Sequence, residues 1–146
     1  MLKHIPPILP PELLKILCEM GHGDTVVLAD GNFPAESVGK QAKVVRMDGH
    51  GVSRILEAVL ELFPLDQYVK HPVLLMDRVP GDTADISLWK TYEEIVRRYE
   101  PGREDLIDKK ERFDFYKEAQ KAYAIVATGE IRQYANIILQ KGCITV

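Results

Sequence analysis

Cysteine is scarce: Cys18 and Cys143 are the only two in 146 residues. Neither has a second cysteine or a histidine at zinc-ligand or redox-pair spacing, so a reduced, cytoplasmic setting is expected and no metal centre is indicated. Charge of one sign is missing as well. The 19 basic and 22 acidic residues are interspersed to a net charge of -3, without a basic run or an acidic tail. That pattern argues against nucleic acid and anionic membrane surfaces as partners. Long apolar runs are absent too. The first apolar stretch carries Glu12, Lys15 and Glu19, so neither a membrane span nor a signal peptide is expected. Repeats, linkers and low-complexity segments are lacking, and the length suits one sizeable core; a single domain over 1–146 is expected.

What is present alternates between two periodicities. From Pro11 to Met20, Leu13, Ile16, Leu17 and Met20 share one helical stripe, started by Pro11 and stopped by Gly21. Thr25–Ala29 is a short, nearly uninterrupted apolar run rich in β-branched residues, the pattern of a strand covered on both faces. It ends in a loop, Asp30-Gly31-Asn32-Phe33-Pro34. A strand over Lys43–Met47 leads through Asp48-Gly49-His50-Gly51 into a helix with Val52, Ile55, Leu56, Val59 and Leu60 as its buried stripe. A strand near Val73–Met76, a turn at Pro80-Gly81-Asp82 and a helix from about Ser87 to Glu100 follow. After an ambiguous piece at Asp105–Asp108 come a helix over Glu111–Lys121, a strand at Tyr123–Ala127 and a last strand at Asn136–Leu139. The alternation predicts an α/β fold, a three-layer α/β/α arrangement with a mostly parallel central sheet.

Several residues stand out as candidates. His22 lies in Gly21-His22-Gly23-Asp24, where flanking glycines let a small molecule approach and an imidazole can pass a proton near neutral pH. The alternative is a helix-end histidine at the negative end of the helix dipole. Asp30 closes an apolar strand, at the end where α/β sheets bind ligands; it equally suits an Asx turn around Gly31 and Asn32. The Asp48–Gly51 turn lacks both the Walker lysine and the dinucleotide glycine spacing and reads as a helix-capping turn, with His50 a minor binding candidate. Tyr134-Ala135-Asn136 opens the last strand, and its phenol and carboxamide can both donate and accept. Arg112, in a charge run, reads by itself as a solvated helix end.

In order and spacing, Gly21-His22-Gly23-Asp24-Thr25, the Asp30 to Pro34 loop, Arg112-Phe113-Asp114-Phe115-Tyr116 and Tyr134-Ala135-Asn136-Ile137-Ile138-Leu139 resemble the sugar mutarotases that comprise L-fucose mutarotase and D-ribose pyranase. The resemblance implies that His22 is the proton donor and that Asp30, Arg112, Tyr134, Ala135 and Asn136 bind a monosaccharide, without metal or other cofactor. It also implies exchange of the α and β anomers by ring opening and closure. The stretch Glu111 to Glu130 looks closer to the fucose branch, which favours L-fucose over D-ribose. Ala135 stands where that branch carries glycine and matches the ribose branch instead, and Tyr123 replaces a phenylalanine. His22 is expected toward the ring oxygen, with Tyr134 or a water serving the anomeric hydroxyl.

One geometric conflict arises. Fully extended, the residues between His22 and Asp30 span roughly 25 Å, at about 3.3 Å each, too far for one sugar to touch both. Either the chain bends near Gly23 or the site lies between chains. The resemblance favours the second, because it implies ring-shaped homo-oligomers, decamers among them, with sites at subunit contacts. The competing readings are a D-ribose pyranase, a monosaccharide-binding module without turnover, and a phosphate-binding domain built on the Gly49-His50-Gly51 turn.

Overall fold

The computed structural model describes residues 1–146. The elements run α1 (Pro11–Glu19), β1 (Thr25–Ala29), α2 (Ala35–Val38), β2 (Lys43–Met47), α3 (Val52–Leu60), β3 (Val73–Met76), α4 (Leu88–Tyr99), β4 (Ile107–Lys110), α5 (Arg112–Gln120), β5 (Ala124–Thr128) and β6 (Ile137–Gln140). The ambiguous Asp105–Asp108 piece runs into β4. The short α2 went unpredicted because one helical turn holds no full apolar period.

The six strands form one sheet in the order β2-β5-β1-β6-β3-β4. Neighbouring strands pair in parallel except at β6, which runs antiparallel to both β1 and β3. The reason is the length of the connection. Residues 129–136 are too few for a crossover that would return the chain to the start of the sheet, so it turns back directly between β1 and β3. The expected α/β, mostly parallel sheet is therefore present, with its one reversal at the site end.

Both faces are covered, which accounts for the unbroken apolar run of β1. Val26 and Leu28 point into a core built with Leu13 and Ile16 of α1, Ile55 and Leu56 of α3, and Trp89 and Tyr92 of α4. Val27 and Ala29 point the other way, against Ala35 of α2 and Phe115 and Ala119 of α5. The carboxyl ends of β1, β2, β3, β4 and β5 collect at one edge, and β6 starts there.

The Asp48–Gly51 turn is packed against this edge backbone to backbone. A Cβ on Gly129 would lie 1.8 Å from the Asp48 carbonyl oxygen, and the Gly129 N–H donates to the His50 carbonyl at 3.0 Å. Gly129→Ala is expected to destabilise the protein by about 1–3 kcal/mol in urea unfolding. No side chain of the turn caps α3. The buried Glu130 carboxylate lies against the start of this helix instead, close to Gly51, and Arg132 grips it with two 2.8 Å hydrogen bonds. A carboxylate of the protein thus occupies the anion position at this helix N-terminus, which removes the phosphate-binding reading of the turn.

Candidate active site

The cavity at the carboxyl edge holds about 320 Å³ and is lined on its polar side by Asp30, Arg112, Tyr134 and Asn136. Asp30 and Asn136 meet because β6 runs back beside β1. The Asp30 N–H donates to Asn136 Oδ1 at 2.8 Å, and Asn136 Nδ2 donates to Asp30 Oδ2 at 3.0 Å. Asp30 Oδ1 meanwhile accepts the Asn32 N–H at 3.0 Å. The Asx turn and the cavity-lining carboxylate are one arrangement, since a carboxylate has lone pairs for both. Burial pushes the Asp30 carboxyl above its ordinary range, against hydrogen bonds from Asn32, Asn136, Phe33 and Ala135. Two further bonds brace the loop beneath: Thr128 Oγ1 donates to the Ala29 carbonyl at 2.8 Å, and the Gly31 N–H to the Glu130 carbonyl at 2.8 Å.

Arg112 reaches the cavity from the first turn of α5. Glu111 caps that helix, its carboxylate accepting from the Phe113 and Asp114 N–H groups. The Arg112 guanidinium lies near the rings of both Phe113 and Tyr116, at 5.7 and 5.6 Å from their centroids. It is exposed, as a helix-end charge should be, yet it forms the cavity mouth.

Ala135 contributes no side chain to the cavity. Its methyl is fully buried in the α3/α4 core, its carbonyl accepts the Tyr92 hydroxyl at 2.8 Å, and its N–H faces Asp30. The methyl that departs from the fucose-branch glycine therefore points away from any ligand. The Tyr123 hydroxyl likewise joins a surface cluster with Lys43 and Glu19, at 3.0 and 3.2 Å.

Tyr134 lines the cavity and is held from two sides. Its backbone is left-handed, φ 55°, a conformation costly for a non-glycine residue, and Trp89 Nε1 holds its carbonyl at 2.9 Å. Its hydroxyl donates to Asp82 Oδ2 at 2.5 Å, and that partner raises the phenol further above its ordinary range. The phenol donates to Asp82 and accepts the Val79 N–H at 3.3 Å, so it is engaged in both directions, and of the two groups expected at the anomeric hydroxyl an ordered water is the less encumbered.

His22 is elsewhere. β1 runs straight between it and Asp30, and its five residues alone cover roughly 17 Å at about 3.3 Å each. The bend near Gly23 turns the chain into β1 without bringing His22 to the cavity. His22 Nε2 instead contacts Asp66 Oδ1 at 3.1 Å, and its ring lies beside Tyr68, centroids 5.4 Å apart. Nor does His22 serve the end of α1. Lys141 does that, its ammonium donating to the Leu17 and Met20 carbonyls at 2.6 Å each while its own carbonyl accepts the Gly23 N–H.

Asp66 is the His22 partner that sequence reading missed. It is 1% exposed, and burial raises its carboxyl; hydrogen bonds from the Tyr68 N–H, His22 and Gln140 outweigh that and hold it below the ordinary range. An ionised Asp66 only accepts, so it fixes a hydrogen on His22 Nε2 and leaves Nδ1 free. Asp66→Ala is expected to lower the unfolding free energy by about 1–3 kcal/mol at pH 7. Because the folded pKa is lowered, this contribution is complete above the ordinary carboxylate range and fades as pH falls through the folded value. The wild-type and variant urea curves should therefore converge below about pH 4.

The apolar side of the cavity was also missed: Phe33, Met76, Val79 and Tyr116. For Phe33, Met76 and Val79 the only signal was position, at or just after strand ends; Tyr116 lies one turn after Arg112 on α5. A larger groove of about 500 Å³ between α4 and the edge strand β4 is lined by charges of both signs, among them Glu93, Arg97, Arg103 and Glu104. None of the converging polar groups lies there.

Comparison with known proteins adds three findings. The pattern of the RbsD / FucU transport protein family matches residues 3–144. The L-fucose mutarotase of Actinobacillus pleuropneumoniae is 49% identical over 142 residues, covering 97% of this chain and 96% of its own. Among solved structures, FucU from Bifidobacterium longum superposes with a TM-score of 0.94 at 57% identity, over 97% of this chain and 99% of its own. The fucose mutarotase from Streptococcus pneumoniae, solved in complex with L-fucose, gives 0.92 at 46% identity, over 99% of this chain and all of its own.

Proposed function

This chain belongs to the RbsD / FucU transport protein family, and from that membership and the geometry of its cavity we propose that it is an isomerase interconverting the α and β anomers of L-fucose. The observation that carries the reading is the reciprocal Asp30–Asn136 pair facing Arg112 across a cavity whose other wall is Phe33, Met76 and Val79. Fixed polar groups on one side suit the sugar's hydroxyls. The apolar wall suits a deoxy sugar, whose terminal carbon is a methyl; D-ribose carries no such group. Close relatives named for L-fucose mutarotation support the same sugar.

The chemistry requires only proton transfers. Opening the ring takes a proton from the anomeric hydroxyl and delivers one to the ring oxygen. The open aldehyde rotates, and the reverse transfers close the ring on its other face. His22 is the proton donor toward the ring oxygen: Nε2–H stays on Asp66, and the proton given is the one carried on Nδ1 of the imidazolium, which returns there when the ring recloses. Asp30, Arg112 and Asn136 hold the hydroxyls, Ala135 backs Asp30 with its N–H, and Tyr134 forms the adjoining wall. A water serves the anomeric hydroxyl, since the Tyr134 phenol is engaged.

The separation of His22 from Asp30 supports a site shared by two chains. A head-to-tail contact, with the His22 end of one copy at the Asp30 end of the next, builds such a site and forms a ring where its rotation closes. A ring-shaped decamer is the assembly proposed, in the cytoplasm.

The experiment is saturation-transfer NMR on equilibrated L-fucose and D-ribose. Faster α/β exchange of L-fucose, with little effect on D-ribose, is expected. Preferential action on D-ribose would favour the pyranase reading, and acceleration of neither would leave a sugar-binding module.

A further inference from the structure

The segment between β3 and α4 forms one wall of the cavity, and its attachment is unusual. Residues 77–87 are braced within themselves: Arg78 Nη1 donates to the Ala84 carbonyl at 3.0 Å, the Asp82 N–H to the Val79 carbonyl at 3.0 Å, and the Ala84 N–H to Asp82 Oδ1 at 2.9 Å. Gly81, at φ 88°, permits the turn. The result is a stiff strap carrying Val79 into the cavity wall.

Over residues 79–84, the hydrogen bonds from the strap to the rest of the chain converge on one atom, the Tyr134 hydroxyl oxygen. That hydroxyl donates to Asp82 Oδ2 at 2.5 Å and accepts the Val79 N–H at 3.3 Å. Tyr134 is itself anchored in a left-handed turn by Trp89 Nε1. Strap and sugar-facing turn are thus joined through a single charge-assisted hydrogen bond.

We propose that Asp82 is a positioning residue for sugar binding: by latching the Tyr134 hydroxyl it sets the strap, and with it Val79, at the distance that closes the cavity on the substrate. Asp82 does not line the cavity and transfers no proton. Its effect falls on binding, because the strap holds the bound sugar and takes no part in the proton transfers. This rests on the mutarotase reading only for the identity of the ligand.

The test compares wild type, Asp82→Ala, Asp82→Asn, Tyr134→Phe and the double variant Asp82→Ala/Tyr134→Phe in L-fucose exchange. Asp82→Ala is expected to raise KM about tenfold with kcat within about twofold. Asp82→Asn, which keeps an acceptor for the phenol, should hold KM within about threefold. Tyr134→Phe, which also takes the acceptor from the Val79 N–H, should raise KM at least as much as Asp82→Ala, and the double variant should be no worse than Tyr134→Phe alone, the signature of two residues acting through one bond. Additive losses, an unchanged KM in Asp82→Ala, or a kcat loss confined to Tyr134→Phe would overturn the latch.

A second readout is independent of catalysis. Trp89 is the one tryptophan in the chain and is bonded to the Tyr134 carbonyl. Its emission should shift equally in Asp82→Ala, Tyr134→Phe and the double variant; an unshifted Asp82→Ala spectrum overturns the proposal. If wild type accelerates neither sugar, the mutarotase reading fails, and the latch is still judged by this fluorescence.

Discussion

His22→Ala lowers kcat for L-fucose anomer exchange by about 10²–10⁴-fold, the usual yield of a positioned acid or base, while L-fucose affinity changes by no more than about twofold. The separation of effects follows from the site. His22 touches nothing in the Asp30 cavity of its own chain, and the cavity's polar groups hold one another without it. Its ring is presented by three devices: Gly23 in a left-handed conformation at φ 87°, Lys141 holding the end of α1 and the Gly23 N–H, and Asp66 accepting from Nε2. None of these depends on an imidazole for stability beyond the single Asp66 contact, so the variant should fold. Exchange rates from saturation-transfer NMR and affinities from calorimetry check the two halves separately. A kcat within twofold of wild type would return His22 to a structural role beside Asp66.

Asp30→Ala is expected to raise KM by roughly 10²-fold, because it removes the acceptor of the Asn136 carboxamide together with the carboxylate facing the sugar. The more telling result is the mixture. If each site takes His22 from one chain and Asp30 from its neighbour, oligomers co-assembled from equal amounts of His22→Ala and Asp30→Ala chains recover about a quarter of wild-type activity. That fraction arises because an intact site needs an intact residue from each contributor, each with even odds. If both residues served within one chain, no mixture would contain an intact site. Co-expression with two affinity tags isolates the mixed assembly, and activity at the level of the separate variants would overturn the shared site.

Much of the fold was legible because the sheet is buried on both faces. Thr25–Ala29 and Val73–Met76 carry apolar runs that only a covered strand tolerates, while Lys43–Met47, at the sheet edge, buries Val45 and Met47 and exposes Lys43 and Arg46; the observed strands have those bounds. β4 was ambiguous for the matching reason: it is an edge strand, and Asp108, Lys109 and Lys110 face water as edge residues do. In the site, Asp30 and Asn136 were visible as polar residues at strand ends, and the cavity gathers them with Arg112 and Tyr134. Asp66 and Asp82 were not visible. Each lies in a connection without periodicity, and each acquires its meaning from partners far along the chain, His22 and Gln140 for Asp66 and Tyr134 for Asp82.

The sequence alone determined the α/β layering, the residues of the core, the family resemblance and the residue types from which a proton-transfer sugar site is built, because periodicity and short motifs are local properties. The tertiary structure decided which of those residues meet. It turned β6 back beside β1 to join Asp30 with Asn136, turned the Ala135 methyl into the core, committed the Tyr134 phenol to Asp82 and placed His22 at the opposite end of β1. Those outcomes depend on where the chain reverses and which side of the sheet a side chain faces, and such distances across the fold have no counterpart in spacing along the sequence.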